Sequence, residues 1–305
     1  MLYFIVNKTS STGKSSQIWE KVLYYLNNNS IEYKSFYTGY VGHARIISNY
    51  LSKLNKERIH LVVVGGDGTI NEVINGVTDF SKVVISVIPA GSGNDFANGL
   101  GISSDIEENM YNILHNEIET HDLGIVKYGD SNSRLFCISS GVGLDALVCK
   151  KVNNSRIKKL LNAVKLGKLS YIILTIISLL SLDTVKSKIK IDNKEEREYS
   201  RLIFSAAMNM CSEGGGVPMT PNSKSNDGKM TICSGHNLSK YITFFVLPIL
   251  VLAKHEKLKC FDIFDCKNLK IITKKPVALH ADGEYLGDFN KIQIMCKKSL
   301  LRIIK

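Results

Sequence analysis

The stretch from Val62 to Glu72 reads Val-Val-Val-Gly-Gly-Asp-Gly-Thr-Ile-Asn-Glu and decides the fold of the first part of the chain. Its β-branched run predicts a buried strand and its end opens a helical pattern, so Gly65, Gly66 and Gly68 lie between the two. Glycine lets the backbone adopt positive φ and lets a ligand approach closely, and helix N-terminal amides favour a phosphate. We therefore expect a phosphate-binding turn in which Asp67 binds nucleotide hydroxyls or a metal. A tight turn without a ligand is the alternative.

A second glycine-rich segment, residues 88–97, also follows a strand pattern and opens a helix. It reads Ile-Pro-Ala-Gly-Ser-Gly-Asn-Asp-Phe-Ala. Ser92 can donate a hydrogen bond to a phosphate, whereas Asn94 and Asp95 suit a helix cap as well as a ligand contact. Two such loops at neighbouring strand ends would form one continuous nucleotide cradle.

The loop after the first strand, residues 7–15, reads Asn-Lys-Thr-Ser-Ser-Thr-Gly-Lys-Ser and matches the end of a P-loop motif. That motif requires glycine where this chain has Lys8, so the match is partial. We still expect a polar loop that faces phosphate. Lys14 would contact the phosphate, bind nearby carboxylates or remain solvated.

Strand and helix patterns alternate over the first third of the chain, which predicts an α/β fold with a parallel sheet. Ligands in such folds bind beyond the carboxyl ends of the strands, where the loops lie. After about Asp122, many short strands predict an antiparallel β-sandwich or barrel. The predicted domains are an α/β domain (1–125) and a β-sandwich domain (126–295) with a helical insertion (154–182). The tail (296–305) could return to the first domain.

Composition narrows the class of protein. A formal net charge of +11 favours phosphate-bearing partners such as nucleotides, nucleic acids or anionic membranes. The seven cysteines form no C-x-x-C pair, which argues against a disulfide framework and a structural zinc site and favours a reducing cytosol. The longest apolar runs, 169–182 and 242–253, are shorter than the roughly 20 residues that span a bilayer. The first residues read as a strand rather than a signal peptide, so we expect a soluble or peripheral protein.

Taken together, these segments resemble the diacylglycerol kinase-like lipid kinases, a family that includes bacterial diacylglycerol kinases, sphingosine kinases and ceramide kinases. Residues 65–72 are similar to the family signature, and residues 91–97 to its second nucleotide loop, with Ser92 where threonine is usual. Residues 38–44 resemble a further ATP-contacting stretch. The later segments that follow in the family's order are Gly214-Gly215-Gly216, Pro221-Asn222, Asn226-Asp227-Gly228 and Asp282-Gly283-Glu284.

The resemblance implies ATP bound in a cleft between an α/β domain and a β-sandwich, with the base supplied by Asp282 and Glu284. Phosphoryl transfer needs a carboxylate that accepts the proton or orients the hydroxyl. Spacing does not say which of the two accepts it, and Asp-Gly alone is also a strong turn signal. With the loops above, the expected ATP contacts are Asn7, Lys8, Thr9, Ser10, Ser11, Lys14, Thr38, Gly65, Gly66, Asp67, Gly68, Thr69, Glu72, Ser92 and Asn94.

The resemblance also implies a structural magnesium ion. Its ligands would be the side chain of Asp227 and main-chain oxygens of Lys224 and Lys229. Magnesium prefers hard oxygen ligands of this kind, completed by water. Without the resemblance, Asp227 and the glycine after it are equally well explained by a turn.

Seven basic residues and no acidic residue lie between Lys150 and Lys168, directly before the apolar run 169–182. This arrangement suits an anionic membrane face, or equally a helix packed on the sandwich with its basic side in solvent. Residues 242–253 are either a second lipid-facing element or core. The charge is not accompanied by a nucleic-acid recognition motif, and we expect no nucleic-acid partner.

The sequence therefore predicts an ATP- and magnesium-dependent kinase of a membrane lipid, most simply diacylglycerol, which would give phosphatidic acid. It would be cytoplasmic and peripheral at the inner membrane face. Two other functions stay open. NAD kinases share the Gly-Gly-Asp-Gly-Thr element, and a catalytically silent relative could bind anionic membranes through residues 150–168. Acceptor identity and oligomeric state are open too, and a homodimer is compatible with the sequence.

Overall fold

The computed structural model describes residues 1–154 and 167–305. The chain divides into two compact units. The first consists of Met1–Leu123 together with Lys298–Lys305, and the second of Gly124–Lys297. Each unit has a buried hydrophobic core of its own.

Parallel strand pairs form the sheet of the first unit, in the order β2-β1-β3-β4. Its strands are β1 (Leu2–Val6), β2 (Tyr33–Tyr37), β3 (Ile59–Gly65) and β4 (Val83–Pro89). Strands β1, β3 and β4 are mostly apolar and almost wholly buried, as expected for a sheet covered on both faces. The register places Gly65 beside Pro89, so the two glycine-rich loops begin next to each other.

Helices pack on this sheet through apolar residues at helical spacing. In the first of them, Trp19, Val22 and Leu26 are buried, and the Trp19 ring lies 5.2 Å from the ring of Phe4 in β1. The helices are α1 (Lys14–Asn28), α2 (His43–Ser52), α3 (Asp67–Gly76), α4 (Asp95–Gly99) and α5 (Ile106–His115).

The last residues of the chain belong to the first unit. Ile303 pairs with Ile85 of β4 in parallel register, and the N–H of Ile304 donates to the carbonyl of Ile85 at 3.0 Å. The hydroxyl of Ser86 donates to the carbonyl of Ile304 at 2.9 Å. The tail is therefore held by backbone hydrogen bonds and by the complete burial of the Ile303 side chain.

Antiparallel pairs form the second unit. Strand β8 alternates buried and exposed residues along its whole length, the pattern of a sheet with one face on a core. The strands that form or enter this unit are β5 (Glu119–Tyr128), β6 (Asn132–Phe136), β7 (Ser139–Gly143), β8 (Val185–Ile191), β9 (Glu195–Met208), β10 (Met230–His236), β11 (Phe261–Cys266), β12 (Asn268–Ala281) and β13 (Glu284–Ile303).

Three described helices belong to the second unit: α6 (Leu144–Asn154), α7 (Gly167–Leu180) and α8 (Lys240–Val251). They cover a further core cluster that includes Leu179 and Leu250. Residues 155–166 of the helical insertion expected from the sequence lie outside the described residues. Among the helices that the structure describes, none combines the length and the apolar character needed to cross a membrane.

Several element boundaries differ from those expected. The sequence pattern predicts separate strands over Leu269–Thr273 and Ala278–Ala281. Both segments are part of β12, which continues through a register shift between Ile272 and Val277. The pattern also predicts a strand over Leu135–Ser139, but that segment spans the end of β6 and the start of β7. Bulges and tight connections of this kind depend on the partner strand, so local patterns do not reveal them.

The packing of the tail predicts a stability difference. Ile303→Ala should lower the free energy of unfolding of the first unit by about 2–5 kcal/mol, because it leaves a cavity in a fully buried site. Lys305→Ala removes an exposed ion pair with Glu119 and should cost less than about 1 kcal/mol. Urea unfolding followed by tryptophan fluorescence reports on this unit, since Trp19 is the single tryptophan. Equal losses in both variants would contradict the prediction.

Candidate active site

The two glycine-rich loops of the first unit touch through their backbones. A Cβ atom on Gly66 would lie 2.8 Å from the Cα of Gly91, and one on Gly91 would lie 2.5 Å from the Cα of Gly66. Neither position therefore accepts a side chain without movement of the other loop. Gly68 is different, because a Cβ there would meet no atom within 4 Å. Packing between the loops thus explains two of these glycines, and the third faces open space.

Asp67 links the same two loops. Its carboxylate oxygens accept hydrogen bonds from the backbone N–H groups of Asp95 and Phe96, each at 3.1 Å, and so cap the N-terminus of α4. Asn94, considered from the sequence as a cap, makes no capping bond. It adopts φ of 56°, and its side-chain oxygen accepts from the N–H of Gly91 at 2.8 Å. The observed role of Asp67 is a cap across loops, and its expected nucleotide or metal contact stays a prediction.

The loop after β1 lies against the turn that follows β3. The amide of Asn7 donates to the hydroxyl of Thr69 at 3.0 Å and its carbonyl oxygen accepts from Thr9. The hydroxyls of Ser11 and Ser92 are 3.4 Å apart, so this loop also meets the loop after β4. Hydroxyl and backbone donors of three loops are therefore gathered in one place.

The remaining expected ATP contacts of this unit lie around these loops. Lys14 is exposed and begins α1, and the ammonium of Lys8 lies 4.2 Å from the centre of the Tyr37 ring. Ser10 follows a short turn in which its N–H donates to the carbonyl of Asn7 at 3.3 Å. All of them are polar and on the loop side of the strand ends.

Glu72 supports the neighbouring segment, residues 38–44. Its carboxylate accepts from the N–H groups of Gly42 at 2.8 Å and Ala44 at 3.1 Å, which caps the N-terminus of α2. The N–H of Thr38 in turn donates to the carbonyl of Val6 at 3.0 Å. The structure thus gives Glu72 a capping role that the sequence did not show, because its partners lie about thirty residues earlier in the chain.

Asp282 lies in the turn between β12 and β13, with φ of 46°. Its carboxylate accepts from the backbone N–H groups of Cys137 at 2.9 Å, Ile138 at 2.8 Å and Ser139 at 3.0 Å. Three such bonds tie the turn to the connection between β6 and β7. The Asp282 side chain is therefore anchored to the backbone of the second unit.

Glu284, two residues later, is in a different environment. It begins β13, forms an ion pair with Arg134, and its side chain is 47% exposed. A carboxylate that is open to solvent can meet an acceptor hydroxyl. The two acids of the expected catalytic pair thus divide into one that is tied to backbone and one that is accessible.

A charged cluster, made of a buried histidine and two partly buried acids, lies next to this turn. The Nε2 of His280 is 3.1 Å from the Oδ2 of Asp145, and ligand-type atoms of these residues and Glu213 lie within 4.8 Å of one another. Complete burial alone would lower the pKa of His280, but the Asp145 carboxylate, with Glu213 and Asp282 nearby, outweighs it and raises the pKa to about 9. The protonated ring thus neutralises one of the surrounding carboxylates.

The expected magnesium loop precedes β10. Asp227 is exposed, and one of its oxygens accepts from the N–H of Lys229 at 3.0 Å, an Asx-type turn. The expected ligands, two main-chain carbonyl oxygens and the carboxylate of Asp227, are hard oxygen donors. The donor set therefore fits a magnesium ion chemically.

Comparison with known families agrees with this architecture. Residues 1–126 match the model of the diacylglycerol kinase catalytic domain. Residues 138–305, more than half of the chain, match the model of the YegS C-terminal NAD kinase beta sandwich-like domain. The chain belongs to the diacylglycerol kinase-like lipid kinase family. The resemblance stated from the sequence is thereby confirmed, and the protein is a phosphotransferase with an alcohol group as acceptor.

Relatives match nearly the whole length of this chain. YtlR of Bacillus subtilis (strain 168), named as a candidate lipid kinase, is 27% identical over 289 residues, 93% of each chain. A diacylglycerol kinase of Staphylococcus carnosus (strain TM300) is 27% identical over 284 residues, 93% of this chain and 88% of its own. The crystal structure of a diacylglycerol kinase from Bacillus anthracis str. Sterne matches with a TM-score of 0.71 at 19% identity, covering 99% and 96%. At that identity it supports the fold.

Four residues near the turn of this lipid kinase were missed from the sequence: Arg134, Asp145, Glu213 and His280. One signal was available, because His280 is a single imidazole in an apolar strand two residues before an acidic turn. The others come from a strand (Arg134 in β6), a helix (Asp145 in α6) and a loop (Glu213), and tertiary packing brings them together.

The contact between the glycine loops predicts a sharp difference between two alanine variants. Gly91→Ala places a methyl group against backbone and should lower the free energy of unfolding of the first unit by about 1–3 kcal/mol. Gly68→Ala points into open space near the start of α3 and should change it by less than about 1 kcal/mol. Urea titration with Trp19 fluorescence measures both. A loss confined to Gly68→Ala would show that the loops do not touch.

The raised pKa of His280 predicts a pH-dependent stability of the second unit. A group whose pKa rises on folding stabilises the fold fully below its unfolded value of about 6.5, and this contribution disappears as pH rises through about 9. Compared with His280→Gln, the wild type should gain up to about 3 kcal/mol at pH 6 and lose that advantage by pH 9.5. Chemical unfolding followed by circular dichroism checks this. A difference independent of pH would contradict it.

Proposed function

We propose that this protein is an ATP- and magnesium-dependent lipid kinase that phosphorylates diacylglycerol to phosphatidic acid. It would act in the cytoplasm, at the inner face of the membrane. Its family membership supports phosphoryl transfer to an alcohol, and several relatives of similar length are named diacylglycerol kinase.

The observation that carries the proposal is the convergence of three loops at the strand ends of the first unit. The N-terminus of α3 and the hydroxyls of Ser11 and Ser92 offer donors for phosphate oxygens. The open space beside Gly68 allows a phosphate to approach the backbone. Glycine and hydroxyl donors without bulky side chains suit a triphosphate better than an apolar ligand.

Glu284 is the better of the two candidate proton acceptors. In the proposed reaction the lipid oxygen forms a bond to the γ-phosphorus while the bond to the bridging β–γ oxygen breaks, and ADP leaves. The hydroxyl proton passes to the Glu284 carboxylate. Asp282 would position this residue, because its oxygens already accept three backbone hydrogen bonds.

Magnesium would have two roles, one as a structural ion and one as the ion that accompanies ATP. In the loop before β10, Asp227 and the carbonyls of Lys224 and Lys229 would bind a structural ion. Magnesium bound with ATP would neutralise negative charge on the phosphate oxygens.

The decisive experiment is a kinase assay with labelled ATP and a panel of acceptors: diacylglycerol, monoacylglycerol, ceramide, sphingosine and NAD. We expect a labelled lipid product that requires magnesium and is lost with a chelator. Glu284→Gln should lower kcat by about 10²–10⁴-fold, because it removes the proton acceptor without removing the side-chain volume. Phosphate transfer is measured by chromatography of the extracted lipid.

Glu198→Gln is the matched control, since Glu198 is also a solvent-exposed strand glutamate paired with a cation, Lys188. Its kcat should stay within twofold of the wild type. Label in NAD without lipid would identify an NAD kinase instead. Absence of turnover with every acceptor, in folded protein, would favour a catalytically silent relative.

A further inference from the structure

Helix α8 presents an apolar face to solvent. Tyr241 is 81% exposed, Phe245 72% and Leu252, just after the helix, 65%. These residues are spaced four and seven apart, so they lie on one side of the helix. The opposite side packs on the core through Val246 and Leu250 among others.

This distribution is unusual for a surface helix, whose outer face is normally polar. No acidic residue occurs from Leu238 to Ala253, and the hydroxyl of Thr243 is turned inward, donating to the carbonyl of Ser239 at 2.9 Å. Phe244 adds a further exposed aromatic ring, 5.6 Å from that of Phe245. A continuous exposed apolar surface of this kind marks an interaction site.

The neighbouring helix adds to this surface. Helix α7 packs beside α8 and exposes Ile177 and Leu180 near its end. That end is held by Lys151, whose ammonium donates to the carbonyl of Ile177 at 3.0 Å. Lys150 is likewise engaged, with Asp288 at 3.1 Å. The two described lysines that open the basic run 150–168 therefore serve contacts within the unit.

The charges that accompany α8 favour one kind of partner. Lys254, Lys257 and Lys259 are exposed and follow the helix closely, with a single acid, Glu256, among them. A rim of lysines around aromatic side chains complements anionic lipid headgroups over an apolar layer. In a symmetric pair of chains the same lysines would face one another across the interface, which opposes a second copy as the occupant.

We propose that the outer face of α8, formed by Tyr241, Phe244, Phe245 and Leu252, is the surface that docks on an anionic phospholipid bilayer. The helix lies along the interface, with its rings at the boundary between headgroups and acyl chains. Its 12 residues are too few to span the bilayer, so the contact is peripheral. The inference rests on the proposed function only in that the bilayer holds the lipid acceptor.

Vesicle sedimentation tests this surface directly, with full-length protein and vesicles of phosphatidylglycerol and phosphatidylcholine, without nucleotide. Tyr241→Ser together with Phe245→Ser should lower the partition constant at least tenfold. The matched control is Tyr24→Ser, which changes a 70% exposed aromatic residue on α1 and should alter binding less than twofold. Circular dichroism and unfolding curves confirm that the variants fold. Equal binding by the wild type, the double serine variant and Tyr24→Ser would overturn the proposal.

Depth of insertion gives a second readout. Tryptophan fluorescence of Phe245→Trp should be quenched by brominated lipids, whereas Tyr24→Trp should not, and Trp19 is buried in both. Quenching of Tyr24→Trp alone would place another surface on the membrane. If the variant with both Tyr241→Ser and Phe245→Ser is a monomer where the wild type is a dimer, and still binds vesicles, the face is covered by a second copy and the proposal fails.

Activity on short-chain, water-soluble diacylglycerol separates the two proposals. The variant with both Tyr241→Ser and Phe245→Ser should retain the wild-type kcat on this acceptor and lose activity only on vesicle-bound diacylglycerol. Vesicle binding that depends on α8, with no kinase activity on any acceptor, would reject the proposed function and leave the docking surface standing.

Discussion

The rest of the first unit depends on the contact between the backbones of Gly66 and Gly91. Adjacent parallel strands end in register at Gly65 and Pro89, so the loops beyond them run side by side. They fit only because no side chain stands between them. The carboxylate of Asp67 then fixes the start of α4. A donor-lined surface at the strand ends follows from this close packing, and it is this surface that suits a phosphate-bearing substrate.

In the second unit, hydrogen bonds and ion pairs of charged side chains hold the acidic turn at residues 282–284 in place. Its acidic turn is built on buried polar groups, which are costly unless each finds a partner. Asp282 finds three backbone N–H groups, and His280 offsets the charge of Asp145 below it. Glu284 is left accessible, with Arg134 at its side. Rigid support beneath an exposed carboxylate is an arrangement suited to positioning a reactive group.

Local patterns were informative where a residue's role is set by its immediate neighbours. The β-branched run before Gly65 predicted β3, and the helical spacing around Trp19 predicted α1, because burial imposes those periods. The caps were not predictable in this way. Asp67 binds groups 28 residues later and Glu72 binds groups about 30 residues earlier, so neither partnership leaves a trace in sequence spacing. From the sequence, residues 242–253 are either a lipid-facing element or core. Only the burial of individual side chains shows that one side of helix α8 is exposed and the other packed.

The sequence by itself determined the alternation of strands and helices in the first unit, the glycine loops at strand ends and the family to which the chain belongs. These properties depend on periodicity and on motifs whose residues are close together in the chain. Tertiary structure alone decided that Asp67 caps α4, that Asp282 anchors a backbone while Glu284 stays open, and that one side of α8 faces solvent. The physical reason is that hydrogen bonding and burial depend on which distant segments pack together, and a one-dimensional pattern does not contain that information.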